Sequence, residues 1–159
     1  MKIELLSKAD YKDVMIVWEK SVKATHFFIK EKDFELIKST LYRILPNMKI
    51  FGIKKAGTIL GFMGVSDNEI ESLFIDPEYF GKGLGKNLII YAIKDLNLKK
   101  VSGNEQNQKA FSFYKKLGFK IVKRDEFDSF SLPYPILHLF YDNRLTSRIC
   151  QSQSDSLYQ

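Results

Sequence analysis

Cysteine is almost missing: Cys150 is the single thiol in 159 residues, so no disulfide can close within the chain. With His26 and His138 as the only histidines, a zinc cage is too sparsely supplied, and no metal is expected. No apolar run reaches the length of about eighteen residues that a membrane-spanning helix needs, and no membrane partner is expected. The N-terminal MKIELLSKAD carries Glu4 and Asp10 where a secretory signal would need an apolar core, so a cytoplasmic location is expected. Internal repeats and linkers are also absent, which leaves one domain over residues 1–142. The segment from Asn143 to Gln159, NRLTSRICQSQSDSLYQ, is rich in Ser and Gln without period and is expected to be a polar tail of low structural content.

The 45% hydrophobic and 14% aromatic content excludes disorder as the default, and the length suffices for a real core. A net charge of +6 favours an anionic partner: nucleic acid, a membrane surface or a phosphorylated cofactor. The lysines are scattered instead of forming one stripe interleaved with aromatics, which argues against nucleic acid.

Periodicity gives the order of elements. Ser7 and Asp10 resemble a capping box, and Val14, Val17, Trp18 and Val22 follow with helical spacing; Phe34, Ile37, Leu41, Ile44 and Leu45 mark a second helix ended by Pro46. From Met48 the period changes to that of strands. MKIFGIKK, TILGFMGVS and EIESLFI are separated by turns at Ala56-Gly57 and Asp67-Asn68, which predicts three antiparallel strands. A helix, a short strand near Lys100–Ser102, another helix and strands over 119–125 and 134–141 complete a mixed α+β domain, a single sheet covered by helices.

Between the third strand and the third helix lies FGKGLGK. The run Leu73-Phe74-Ile75 stops at Asp76-Pro77, and helical spacing resumes at Leu84, Leu88, Ile89, Ala92, Ile93 and Leu96, so Gly81, Gly83 and Gly85 sit where a strand turns into a helix. The first N–H groups of a helix lack internal partners and carry the positive end of its dipole, and glycine lets a ligand approach the backbone closely. Such a turn can hold phosphate, with Lys82 and Lys86 adding charge. It is not a Walker loop, because Asn87 follows Lys86 and Phe80 occupies the earlier glycine position; nor does G-x-G-x-G in mid-chain match the dinucleotide fingerprint. A tight turn without a ligand is the plain alternative.

The second pattern is NQKAFSFYKKLGF. Ala110, Phe113, Tyr114 and Leu117 share a helical face, Asn104 or Asn107 can cap it, and Gly118 ends it. On spacing alone Tyr114 is a core residue as readily as a catalytic one.

Taken together, FGKGLG resembles the pyrophosphate loop of the GNAT superfamily of N-acetyltransferases, Arg/Gln-x-x-Gly-x-Gly/Ala, and residues 107–119 match that superfamily's N-x-x-A-x-x-F-Y-x-x-x-G-F at every fixed position. KATHFF and PYPILH are also similar to stretches of small bacterial members. The resemblance covers roughly residues 1–141 and implies a central, mostly antiparallel mixed sheet flanked by helices, with acetyl-CoA as co-substrate. It implies that residues Gly81, Lys82, Gly83, Leu84, Gly85 and Lys86 offer backbone N–H groups to the CoA pyrophosphate. Leu73, Phe74 and Ile75 would run beside the pantetheine arm, Asn107 would hydrogen-bond the cofactor, and Tyr114 would protonate the departing thiolate. The chain departs from the pattern at Phe80, where Arg or Gln is usual, and a non-catalytic protein of the same fold that binds or senses acyl-CoA is the alternative to an N-acetyltransferase.

An amine with pKa near 10.4 must lose a proton before it attacks a thioester at neutral pH. Alternation along NEIESLFI puts Glu69, Glu71, Leu73 and Ile75 on one strand face, and a glutamate on this strand often serves the family as base; Glu69 matches by spacing, with Glu71 second. His26 and His138 are rival bases, since an unperturbed imidazole titrates near 6.5. His26 lies in the connector that covers the acceptor pocket in the family, so Trp18, His26, Phe27, Phe28 and Tyr134 are expected to shape substrate choice, with His138 added from the last strand. The acceptor is expected to be a small-molecule or peptide amine, and dimerisation through the last strands is possible.

Overall fold

The computed structural model describes residues 1–142; the expected tail and Cys150 lie outside the described residues. Seven strands form one sheet in the order β1-β2-β3-β4-β5-β7-β6, with β4 and β5 parallel and every other neighbour antiparallel. The strands are β1 (Lys2–Leu5), β2 (Lys49–Lys55), β3 (Thr58–Val65), β4 (Ile70–Ile75), β5 (Lys100–Asn104), β6 (Phe119–Asp125) and β7 (Ile136–Tyr141). The helices are α1 (Tyr11–Thr25), α2 (Glu31–Ile44), α3 (Leu84–Lys94) and α4 (Gln108–Lys116). The mostly antiparallel mixed sheet flanked by helices is the expected architecture.

Each face of the sheet carries its own apolar core. Leu6, Ile50, Ile59 and Phe62 pack with Val14, Trp18 and Val22 of α1 and Ile37 of α2. On the opposite face Phe51, Ile53, Met63 and Val65 pack with Leu84, Leu88 and Ile89 of α3 and Phe111 and Tyr114 of α4. The period-2 strands and amphipathic helices account for this layering, since each element buries one face against the next.

Turn chemistry sets the hairpins. Ala56 and Gly57 both adopt positive φ, 49° and 82°, as a two-residue primed turn requires. At the start, Ser7 N–H donates to Asp10 Oδ2 at 2.8 Å, but the capping box closes a 3-10 turn over Lys8–Asp10, and α1 begins one residue later. Strand β1 was not foreseen from the sequence; it pairs antiparallel with β2, from Lys2 opposite Lys54 to Leu5 opposite Phe51.

Candidate active site

The site begins with a flaw in β4. Its pairing with β3 steps from Gly64–Ser72 to Val65–Ile70, so Glu71 is an extra residue, a β-bulge. This corrects the simple alternation expected over residues 69–75. Ile70 is buried in the same core cluster as Leu73 and Ile75, which turns Glu69 to the other side, with Phe74. Past the bulge β4 also leaves β5: the two parallel strands share a single register pair, Ile70 with Val101. A wedge therefore opens between them, and the backbone of Leu73, Phe74 and Ile75 faces it without a strand partner on that side.

The glycine loop stands at the wide end of the wedge. Asp76 caps the 3-10 turn Pro77–Tyr79 by accepting from Glu78 N–H at 3.1 Å, and its buried carboxylate also pairs with Lys20 Nζ of α1 at 3.0 Å. Gly81 and Gly83 then adopt φ of +73° and +81°, a region costly for other residues, and Gly83 is the N-cap of α3. A Cβ added at either would meet nothing within 4 Å, so the concave side of the loop is open. The first helical bond runs from Asn87 N–H to Gly83 C=O, leaving the N–H groups of Leu84, Gly85 and Lys86 ahead of the ladder. Leu84 contributes only backbone, since its side chain is buried in the core. A Cβ on Gly85 would lie 3.3 Å from Phe113 Cζ and 3.8 Å from Leu73 Cδ2, so this glycine lets α3, α4 and β4 meet closely. Lys82 Nζ sits 4.7 Å above the Tyr79 ring. Backbone donors, a helix N-terminus and flanking lysines suit a diphosphate.

Helix α4 forms the other bank. Asn107 Oδ1 accepts from Ala110 N–H at 3.4 Å as the N-cap, which leaves the amide NH₂ free to donate to a ligand. Tyr114 is 5% exposed, with its ring against Phe113 and Phe119 at centroid distances of 5.3 and 5.8 Å. Burial pushes its phenol well above the ordinary range, so the hydroxyl keeps its proton. That hydroxyl makes no hydrogen bond with the described residues, yet no buried side-chain oxygen is left unpartnered among them; it therefore opens to the cleft that Tyr114 lines.

That cleft, about 590 Å³, runs from the wedge between the sheet and α1–α2. It gathers Trp18, His26, Glu69, Glu71, Leu73, Phe74, Asn107, Tyr114 and His138 from the expected site, and Tyr134 as well. Withdrawal from water, then the neighbouring Glu69 carboxylate, raises Glu71, which makes it a better proton acceptor than a free glutamate although its side chain still reaches solvent. His26 is lowered to about 4 by burial alone and is neutral at physiological pH. His138 Nε2 lies 2.6 Å from Asp125 Oδ2, and this bond, with Lys123 beside it, holds the aspartate below the usual carboxylate range. Trp18 stacks on Phe34 at 5.3 Å and forms part of the cleft's inner wall.

Phe27 departs from the expectation. It is 83% exposed, whereas Phe28, one residue on, packs against His26 and Tyr134, and neither ring is among those that line the cleft. The turn after α1 points these adjacent rings apart. Several cleft residues escaped the sequence reading: Ser102, Asn104, Asp125, Asp128, Phe127 and Phe130. So did buried Asp33, which accepts from Tyr134 Oη at 2.5 Å while Lys30 N–H donates to the same oxygen at 3.0 Å, tying the β6–β7 loop to the start of α2.

A parallel pair wedged open beside a glycine-capped helix, with a buried tyrosine opposite, is the frame of an acyl-CoA-dependent transferase. The family model described as Acetyltransferase (GNAT) domain matches residues 46–121. The peptidyl-lysine N-acetyltransferase YjaB of Escherichia coli K12 is 34% identical over 130 residues, 81% of this chain and 88% of that protein. The solution structure of apo YjaB from Escherichia coli is similar with a TM-score of 0.82 at 32% identity, covering 88% of this chain and 96% of that one. The PaiA N-acetyltransferase of Thermoplasma acidophilum, solved in complex with coenzyme A, gives a TM-score of 0.69 at 27% identity over 89% of this chain and all (100%) of its own. The chain belongs to the GNAT acetyltransferases and is an acetyl-CoA-dependent N-acyltransferase.

Phe80 is 44% exposed at the mouth of the loop, where the family pattern carries Arg or Gln. With a diphosphate held on this loop, Phe80→Arg would set a guanidinium beside it, and the substitution is expected to tighten acetyl-CoA binding about fivefold, the effect of one solvent-screened charge-assisted hydrogen bond. Calorimetry on the two proteins checks this; an unchanged Kd would mean that position 80 does not reach the phosphates.

Proposed function

We propose that the acceptor is a primary amine on an aliphatic arm, a peptide lysine or a small-molecule amine, acetylated by direct attack while both substrates are bound. The observation that carries this reading is that Tyr114 from α4, Glu71 from the β4 bulge and Glu69 just before β4 line one cleft. When bound, acetyl-CoA supplies the activated thioester. Diphosphate would lie on the N–H groups of residues 81–86, with Asn107 and the open edge of β4 at Leu73, Phe74 and Ile75 orienting the arm. Glu69 or Glu71 takes the proton of the incoming ammonium, directly or through a water, and the other carboxylate stands beside it. A carbon–nitrogen bond forms and the carbon–sulfur bond breaks. A backbone N–H on β4 donates to the carbonyl oxygen as negative charge grows there, a contact typically worth about 3 kcal/mol. Tyr114 gives its proton to the departing thiolate, and the second proton that the nitrogen sheds as the amide forms restores the phenol, directly or through water in the cleft.

The cleft favours a cationic acceptor. Among the described residues four carboxylates line it, Glu69, Glu71, Asp125 and Asp128, and no lysine or arginine does, although the chain as a whole carries +6. The kinship with a peptidyl-lysine acetyltransferase supports lysine in particular. The test is thiol release from acetyl-CoA with lysine peptides, spermidine and neutral alcohols as acceptors. Turnover with amines and none with alcohols is expected; turnover with neither amine class would reject the reading.

A further inference from the structure

His26 ends α1 in a fixed pose. Its N–H donates to Val22 C=O at 2.8 Å, and its own C=O accepts from Ile29 N–H at 3.2 Å. Thr25 Oγ1 lies 2.7 Å from Ser21 C=O and 2.7 Å from His26 Nδ1. A hydroxyl has one proton, and a carbonyl can only accept, so that proton belongs to the Ser21 contact. Thr25 Oγ1 must then accept from Nδ1, which therefore carries the hydrogen of the neutral ring. The lone pair is left on Nε2.

Phe28 and Phe74 flank the His26 ring at centroid distances of 5.3 and 6.2 Å. Nε2 has no partner among the described residues, and no buried side-chain nitrogen is unsatisfied among them, so Nε2 keeps accessible surface, and His26 lines the cleft. No carboxylate pairs with the ring, and burial alone holds it neutral. Such an imidazole is too weak a base to strip an ammonium, but it accepts a hydrogen bond throughout the physiological range.

We propose that Ser21 and Thr25 lock His26 in the tautomer whose bare Nε2 receives an N–H of the acceptor amine. This rests on the amine-acetylating function proposed above and divides the labour there. A carboxylate of the β4 bulge removes one hydrogen of the ammonium, while His26 Nε2 holds another and aims the nitrogen lone pair at the thioester. His26 is then an acceptor-binding residue, not a base, and Thr25 is its positioning residue.

Nitrogen-15 NMR of the imidazoles tests this without turnover. The chain has two histidines, so the spectrum of His138→Gln assigns the signals of His26. The expected wild-type spectrum shows a neutral ring protonated at Nδ1, and with CoA present Nα-acetyllysine N-methylamide or spermidine shifts Nε2 while Nδ1 stays. Thr25→Val is expected to transfer the hydrogen to Nε2 and raise KM for the acetylated probe about tenfold, with acetyl-CoA Kd unchanged, as loss of one hydrogen bond requires. Thr25→Ser should retain both wild-type properties. A wild-type ring protonated at Nε2, an Nε2 signal that neither probe moves, a wild-type KM in Thr25→Val, or equal impairment of Thr25→Ser would each overturn the proposal. Failure of the parent function shows separately, as absence of acetyl-CoA-dependent thiol release with every amine.

Discussion

Tyr114→Phe is expected to lower kcat about a hundredfold while acetyl-CoA affinity stays within about twofold of wild type. The substitution removes one oxygen and nothing else: the ring remains packed on Phe113 and Phe119, and the hydroxyl has no partner among the described residues whose loss would unsettle the fold. Thermal stability should therefore be unchanged, which separates chemistry from folding. On the proposed mechanism, what is lost is the donor to the leaving thiolate. Burial keeps the phenol protonated, so the wild-type enzyme always presents that proton, and water entering the cleft can replace it only in part. A hundredfold lies at the low end for general-acid catalysis for that reason. Steady-state kinetics with any acetylated amine decides it, and unchanged kcat would remove Tyr114 from the chemistry.

Gly83→Leu is expected to weaken acetyl-CoA binding at least thirtyfold. Two costs act together. A non-glycine residue held at φ of +81° is strained by about 1–2 kcal/mol, and relief of that strain would rotate the N–H groups that open α3. The new side chain would also extend into the empty concave side of the loop, where a Cβ meets nothing within 4 Å and where the diphosphate is expected to lie. Gly81→Leu should act alike, for the same reasons, at φ of +73°. Circular dichroism establishes that the variants fold, and calorimetry measures Kd; wild-type affinity in a folded Gly83→Leu protein would contradict the assignment of the loop.

Much of this site could be read from residue order because its signals are local. The strand, glycine turn and helix around residues 73–94 are contiguous, and the positive φ of Gly81 and Gly83 is what a glycine at those places announces. An asparagine cap and Gly118 as helix stop follow from the same short-range chemistry, and of the two candidates Asn104 and Asn107 the structure uses Asn107. The bulge at Glu71 could not be read, because an inserted residue leaves hydrophobic content unchanged and shows only in the pairing partner, Val65 opposite Ile70. It is this bulge that separates Glu69 from the face of Leu73. Strand β1 was hidden by brevity: four residues with both faces partly solvated carry no clear period, and only β2 makes them a strand. The contact of Asp33 with Tyr134 spans 101 residues, and Asp125 meets His138 only across the β6–β7 ladder. Such pairings come from topology. Phe27 and Phe28 illustrate the limit at one residue's resolution, since composition marked an aromatic connector and the turn alone determined which ring turned inward.

The most direct measurement is calorimetric titration of the full chain with acetyl-CoA, since it needs no knowledge of the acceptor. Saturable one-to-one binding, weakened at least thirtyfold in Gly83→Leu and retained in Tyr114→Phe, is the predicted result. Absence of saturable binding by the wild-type protein would contradict the account at its centre, because the wedge between β4 and β5 and the open glycine loop would then hold something other than the acetyl donor.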